Sequence, residues 1–197
     1  MMVTIESSQL ESILQQIDRS SSSQELVDAV QCLSHLQTEA AIPTLIKVLG
    51  FNNPRAAVIA MGGLIQLGST AVPHLLALMD DYNYSARAYT IRALATIADP
   101  RALDCLIHCA LYDFAPSVRR AAIKGLGNVW RKQPSPEFLS PILATLQQML
   151  EDEDWSMRYA TIVALSTIPT ARPLLHKTLD REQDKVVRAR LHLALAS

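Results

Sequence analysis

Aromatic residues make up only 5% of the 197-residue chain, although 49% of it is apolar. Leu, Ile, Val and Ala must therefore fill the core, which suits helices packed on helices. The cysteines number three, an odd count that argues against a disulfide framework and fits a reducing compartment. With a net charge of −1 there is no basic field to gather phosphates, so nucleic acid is excluded as a main partner. No apolar run approaches the ~20 residues that span a bilayer. Met1 to Ser12 has neither the basic flank nor the apolar stretch of a signal peptide. The expectation is a soluble, cytoplasmic protein without membrane insertion. Gly-rich phosphate loops, a Gly-x-Ser-x-Gly elbow and a His-Glu-x-x-His pair are also missing.

What the chain does contain is a repeated phrase, Arg-x-x-x-Ile-x-(Ala/Gly)-Leu. It occurs at Arg87…Ile91…Leu94, Arg119…Ile123…Leu126 and Arg158…Ile162…Leu165, with a worn copy at Arg188…Leu195. Six residues before each Arg stands an acid: Asp81, Asp113, Asp152 and Glu182. A second phrase, Ala-x-Pro followed by Leu, marks other helices at Ala41-Ile42-Pro43, Ala71-Val72-Pro73 and Ala171-Arg172-Pro173. The Arg positions step by 32, 39 and 30 residues, the long step holding an enlarged turn at Gln133-Pro134-Ser135-Pro136-Glu137. Self-similarity at this period marks a solenoid, in which a repeat cannot bury its apolar face alone. The predicted fold class is all-α, an α-solenoid of about five to six helix pairs forming one continuous domain over residues 1–197.

Helical spacing of Ile5, Leu10, Ile13, Leu14 and Ile17 predicts a first helix over Val3 to Arg19. A Ser-rich turn follows, so residues 1–22 form an N-terminal helix and turn, and 23–197 the repeats. Ser22 or Ser23 is placed to N-cap the next helix. Pairs are predicted at 24–37 with 39–50, 53–67 with 69–81, 84–97 with 99–113, 116–131 with 135–152, and 155–167 with 169–181, before a last helix from 184. Pro43, Pro73, Pro100, Pro141 and Pro173 are expected in early turns, where a missing N–H is harmless. The N-terminal helix and the segment Lys185 to Ser197 show no evident polar cap, and Leu191, Leu193 and Leu195 are expected to leave an apolar end open.

The acid–Arg pairs read as structural, an acid at one helix end and an Arg near the start of the next bridging turns along the stack. At 100° per residue, Ile91, Leu94, Ile97, Ile123, Leu126, Val129, Ile162, Leu165 and Ile168 fall on one core face. Tyr89, Arg92, Arg120, Lys124, Asn128 and Tyr159 point away from it. The flanking turns add Asp80, Asp81, Tyr82, Tyr84, Tyr112, Asp113, Trp130 and Trp155. Cations and aromatic rings on such a surface suit a planar anionic ligand or a protein partner. The bland alternative is a solvated face with rings half-buried at turns.

His108-Cys109 with Cys105, and Cys32 with His35, do not supply the four ligands or Cys-x-x-Cys spacing of a closed zinc site. No metal is expected, and the cysteines are read as small apolar residues on helices. A Cys–His nucleophile pair would need an orienting third group, which is not evident.

The acid–Arg arrangement resembles that of HEAT and HEAT-like repeats. The stretches Asp80-Asp81-Tyr82-Asn83-Tyr84-Ser85-Ala86-Arg87-Ala88-Tyr89 and Leu111-Tyr112-Asp113-Phe114-Ala115-Pro116-Ser117-Val118-Arg119-Arg120 resemble the smaller, F-type subunit of the E/F-type phycobilin lyases. The likeness extends over about residues 25 to 195. It implies a subunit that, with a larger E-type HEAT-like partner, attaches phycocyanobilin through a thioether to a cysteine of the phycocyanin alpha chain. Phycocyanobilin is then substrate, and no cofactor is implied. An isomerising branch of the family carries Asn-His-Cys-Gln-Gly-Asn; here only His108-Cys109 remains, so plain attachment is the expectation. The bilin-facing candidates are Asp80, Asp81, Tyr82, Tyr84, Tyr89, Arg92, Tyr112, Arg120, Lys124 and Tyr159, and no catalytic residue is assigned. A non-catalytic HEAT-like scaffold or adaptor that binds phycobiliproteins is the alternative.

Overall fold

A computed structural model describes residues 2–80 and 83–196, with side chains from residue 8 onward except that of residue 80. Among the described residues there are twelve α-helices and no strand. They are α1 (Met2–Arg19), α2 (Ser23–His35), α3 (Ile42–Leu49), α4 (Pro54–Leu67), α5 (Val72–Ala77) and α6 (Tyr84–Ile97). The rest are α7 (Leu103–Tyr112), α8 (Pro116–Lys132), α9 (Pro136–Met149), α10 (Trp155–Leu165), α11 (Arg172–Arg181) and α12 (Lys185–Ala196). The expected helix order holds throughout, and single 3₁₀ turns lead into α3, α5, α7 and α11.

Local chemistry explains the boundaries. The Ser22 hydroxyl accepts the Glu25 N–H at 3.1 Å, and the Glu25 carboxylate accepts the Ser21 N–H at 2.8 Å, a capping box at the start of α2. Pro43, Pro73 and Pro173 sit in the first turns of α3, α5 and α11, as expected. Pro141 does not: it lies inside α9, because Pro136 already takes the first turn.

The chain divides into two compact units, residues 1–93 and 94–197. In the first unit α1 packs on α2, α2 on α4, and α3 on α4. The N-caps of two successive repeats tie it together. Asn53 accepts the Ala56 N–H at 3.1 Å and donates to the Ser23 hydroxyl at 3.0 Å, one repeat back. Asn83 likewise accepts from Ala86 at 3.0 Å and donates to the Gly50 carbonyl at 3.3 Å. Among the described side chains of α1 only Ile13 and Ile17 are buried, while Ser8, Gln9, Glu11, Ser12, Gln15, Gln16 and Asp18 are exposed. This polar outer surface is what a capping helix needs, contrary to the reading that no cap was evident.

In the second unit α8, α10 and α12 pack in sequence, with α7 on α8 and on α9, and α11 on α12. The predicted core face is buried: Ile97, Ile123, Leu126, Val129, Ile162, Leu165 and Ile168 are all at most 4% exposed. Gly127 lets α8 and α10 approach closely, since a Cβ there would lie 2.9 Å from the Ala164 Cα. The acid–Arg phrase forms rungs between successive repeats. Arg119 pairs with Asp152, and Arg158 pairs with Glu182 through Nε and Nη2 at 2.8 and 2.9 Å. Each acid also caps its own turn: Asp152 accepts the Asp154 N–H at 3.0 Å, and Glu182 the Asp184 N–H at 2.9 Å. Each Arg bonds a carbonyl within its own repeat, Arg119 to Ala110 at 3.1 Å and Arg158 to Asp152 at 2.8 Å. One guanidinium thus joins three pieces of backbone.

Glu182 is 5% exposed at its side chain and Arg158 18%. The Arg158 hydrogen bonds hold the Glu182 carboxyl below its ordinary range, against the opposing effect of burial. That stabilisation is complete above the unfolded carboxylate's pKa of about 4.3 and is lost as pH falls through the lower folded value. Replacing Glu182 by Gln should cost about 2–3 kcal/mol at pH 7, because a half-shielded guanidinium loses its counter-ion. Thermal melts between pH 3 and 7 should show a smaller acid-side loss of stability in the variant than in the wild type.

Candidate functional site

In the first unit, Tyr89 and Arg92 lie one turn apart on α6, with the Arg92 guanidinium carbon 5.8 Å from the Tyr89 ring centroid. This is a cation–π contact on the surface. Tyr84, the first residue of α6, is exposed. Asp80 ends a 3₁₀ turn, Leu78–Asp80, before α6. Asp81 and Tyr82, expected at the same turn, lie outside the described residues, as does the Asp81 rung.

In the second unit, the α7–α8 turn carries the most exposed rings, with Tyr112 and Phe114 both at 69%. The His108 and Tyr112 rings meet at 5.3 Å across one turn of α7. Trp155 and Tyr159 are exposed on α10. The two turns that bear these rings are held together by the Arg119–Asp152 rung. Arg120 is less available than the sequence implied. It is half-buried and donates to the Ser156 hydroxyl at 3.1 Å. Hydrogen bonds from Ser156, first its backbone N–H and then its hydroxyl, hold the Asp154 carboxyl below its usual range, with the charges of Arg120 and Arg119 adding to them. Lys124, one turn further along α8, is exposed.

Asn128, one of the expected outward residues, is instead a tie between helices, as is Lys132, which the spacing did not single out. Asn128 donates to the Ala95 carbonyl at 2.9 Å, and Lys132 to the Ile97 carbonyl at 2.7 Å, satisfying acceptors at the end of α6. Periodicity placed Asn128 outside the core correctly but could not show its partner.

The cysteines separate by environment. Cys109 is buried at 1% exposure, whereas its neighbour His108 is exposed. Adjacent helix positions point about 100° apart, and here that carries thiol and imidazole to different surroundings. They do not form a nucleophile pair. Cys32 is exposed, contrary to the expectation that it packs as an apolar residue. It borders a groove of about 550 Å³ between α1 and α2 that also touches Ser12, Gln15, Arg19 and Glu25, a feature invisible in the residue pattern. Among the described residues, no three His, Cys, Asp or Glu side chains gather where they could hold a metal ion. No helix of the described chain is long and apolar enough to cross a membrane.

The repeats match known families. Models of HEAT repeats cover residues 52–127, 72–144 and 109–196, and the PBS lyase HEAT-like repeat covers 26–51. The phycocyanobilin lyase subunit beta of Nostoc sp. is 52% identical over 182 residues, covering 87% of this chain and 91% of that protein. The chain belongs to the family of phycocyanobilin lyase beta subunits. A second family member, the phycocyanin alpha phycocyanobilin lyase CpcF of Synechocystis sp., is 47% identical over 81% of this chain and 77% of its own length. A solved structure, the complex of CpcE and CpcF of phycocyanin lyase from Nostoc sp., contains a chain 54% identical to this one. The two superpose with a TM-score of 0.71 over 80% of this chain and 99% of that one. A designed armadillo repeat protein in complex with a peptide reaches 0.61 at 19% identity, which shows the repeat fold alone. The all-α, HEAT-type reading of the sequence therefore holds within this family.

Burial predicts the order of thiol reactivity. With an aromatic disulfide reagent, Cys32 should react fastest and Cys105 more slowly, while Cys109 should react only after unfolding. Rapid labelling of all three in the folded protein would contradict the helical placement of Cys109.

Proposed function

We infer that this chain is the smaller subunit of a heterodimeric bilin lyase. With a larger E-type, HEAT-like subunit, it attaches phycocyanobilin through a thioether to a cysteine of the phycocyanin alpha chain. The observation that carries this reading is the 52% identity to a phycocyanobilin lyase subunit over 87% of the chain. It is seconded by the superposition on a chain from a complex of the two lyase subunits. A cytoplasmic location, where the acceptor would be found, belongs to the same reading.

The chemistry asks little covalent help from the protein. The acceptor thiol adds across the ethylidene double bond of the bilin: a C–S bond forms, the thiol proton is taken up by the tetrapyrrole, and no group leaves. Orientation and exclusion of competing nucleophiles supply the rate. The propionates call for cations and the conjugated rings for flat side chains. In the first unit, Tyr84, Tyr89 and Arg92 offer these on one helix, with Asp80, Asp81 and Tyr82 before it in sequence. In the second, Tyr112, Arg120, Lys124 and Tyr159 do so. Lys124 is the more accessible cation, because Arg120 is already bonded to Ser156.

Attachment without isomerisation is the better reading of the His108-Cys109 pair. The Cys109 thiol is buried within the chain, which favours a packing role for it. The chain is also less similar to the bilin biosynthesis protein PecF of Nostoc sp., at 34% identity over 164 residues, than to that organism's lyase subunit beta.

Reconstitution tests the reading. The chain, its larger partner, phycocyanobilin and apo-phycocyanin alpha chain should give acid-stable colour on the acceptor, with the absorption of attached phycocyanobilin. Lys124→Ala and Arg92→Ala should each slow transfer about tenfold, the equivalent of ~1.4 kcal/mol, at unchanged helicity, with Arg120→Ala losing less. Cys109→Ala should leave transfer intact. Noncovalent association without covalent colour would mean an adaptor instead.

A further inference from the structure

Both chain neighbours of Trp155 are tied back to α8 through consecutive arginines. On one side, Asp154 donates its N–H to Asp152 at 3.0 Å, and Asp152 pairs with Arg119. On the other, the Ser156 hydroxyl accepts from Arg120 at 3.1 Å. The two flanks are also joined to each other, the Ser156 N–H donating to the Asp154 carboxylate at 2.8 Å. The backbone that carries Trp155 is thus fixed on both sides, yet the residue is 48% exposed. The repeat itself does not demand an indole there. Three residues before the ladder Arg, the other copies hold Tyr84, Pro116 and Lys185.

The placing of the cations is an independent observation. Ser156 faces α8, as its bond to Arg120 shows. At 100° per residue, Trp155 and Tyr159 lie about 100° and 60° from it, round the same side of α10. Both are exposed. Arg120 and Lys124 stand one turn apart on one face of α8. A column of rings on α10 therefore runs beside a column of cations on α8, separated by the roughly 8–10 Å between packed helix axes. Rings and charges are segregated, not interspersed.

On the lyase reading, on which this inference rests, we propose that Trp155 is the stacking platform for the bilin. Tyr159 continues the platform along α10, and Lys124 takes a propionate from across the helix boundary. The ligand is divided in the same way as the surface: conjugated rings offer flat faces, and the two acids project from one edge. An indole presents a broader face than a phenol, and one whose backbone is already fixed loses little entropy on binding. Lys124, exposed and one turn beyond the Arg120–Ser156 bond, supplies the charge without breaking that bond.

The probe is phycocyanobilin, titrated without acceptor into the complex of this chain with its larger partner and followed by absorption. Its dimethyl ester is the uncharged comparison. Trp155→Ala should weaken binding of both forms about tenfold at unchanged circular dichroism, and Trp155→Phe should bring it back to within about threefold of wild type. Lys124→Ala should weaken binding of the free acid alone. A Trp155→Ala affinity within about threefold of wild type would overturn the proposal, as would a wild-type complex that binds no bilin. A loss that Trp155→Phe does not restore would also overturn it, since a structural role would then suffice. Unchanged bilin affinity with weaker binding of apo-phycocyanin alpha chain would overturn it in favour of a protein contact. A complex that binds bilin and responds to these substitutions, yet transfers none to the acceptor, would refute the lyase reading and leave the platform standing.

Discussion

The paired guanidinium that crosses from one repeat to the acid of the next governs the second unit. Helices stacked through Leu, Ile, Val and Ala have little intrinsic register, because small aliphatic side chains tolerate sliding. A bidentate rung such as Arg158–Glu182 has a single geometry. It is anchored at both ends, since the acid also accepts an N–H of its own turn and the Arg also binds its own turn. The same register brings the backbone of Gly127 against Ala164. The first unit reaches the same end with neutral groups, through Asn53 and Asn83 reaching one repeat back.

A fixed register turns the turns themselves into a surface. Tyr112 and Phe114 sit in one turn and Trp155 at the next, and the Arg119–Asp152 rung sets their spacing. Rings held rigidly and left exposed lose little entropy when they meet a ligand. Under the proposed lyase reading, this surface is where the repeat would meet the pigment. It also explains why a chain with few aromatics places several of them at turns rather than in its core.

The ladder residues were legible in the sequence because an acid precedes each Arg by six residues in every copy, although each rung joins an Arg to the acid of the following repeat. The core face was legible for the same reason: a 3.6-residue period needs only hydrophobicity to be seen. The Asn rungs were not, because Asn before a helix reads first as an ordinary N-cap and its second bond lies a whole repeat away. Pro141 was misplaced because a proline near a helix start is usually in the first turn, and Pro136 had already taken that place. The polar surface of α1 was missed because periodicity was counted on its apolar positions alone. Arg120 looked like a ligand cation until the structure showed the Ser156 hydroxyl across the repeat boundary. Sequence spacing reveals contacts within a helix or between equivalent positions; it is blind to unlike positions on neighbouring repeats.

The decisive measurement is a double-mutant cycle on Arg158 and Glu182, with Arg158→Met, Glu182→Leu and the double variant compared by chemical denaturation at pH 7. If the rung sets the register, the two changes should couple by about 1.5–3 kcal/mol, the double variant being more stable than the sum of the single losses predicts. Strict additivity, within about 0.5 kcal/mol, would mean that the aliphatic core aligns the repeats by itself and that the rung is incidental.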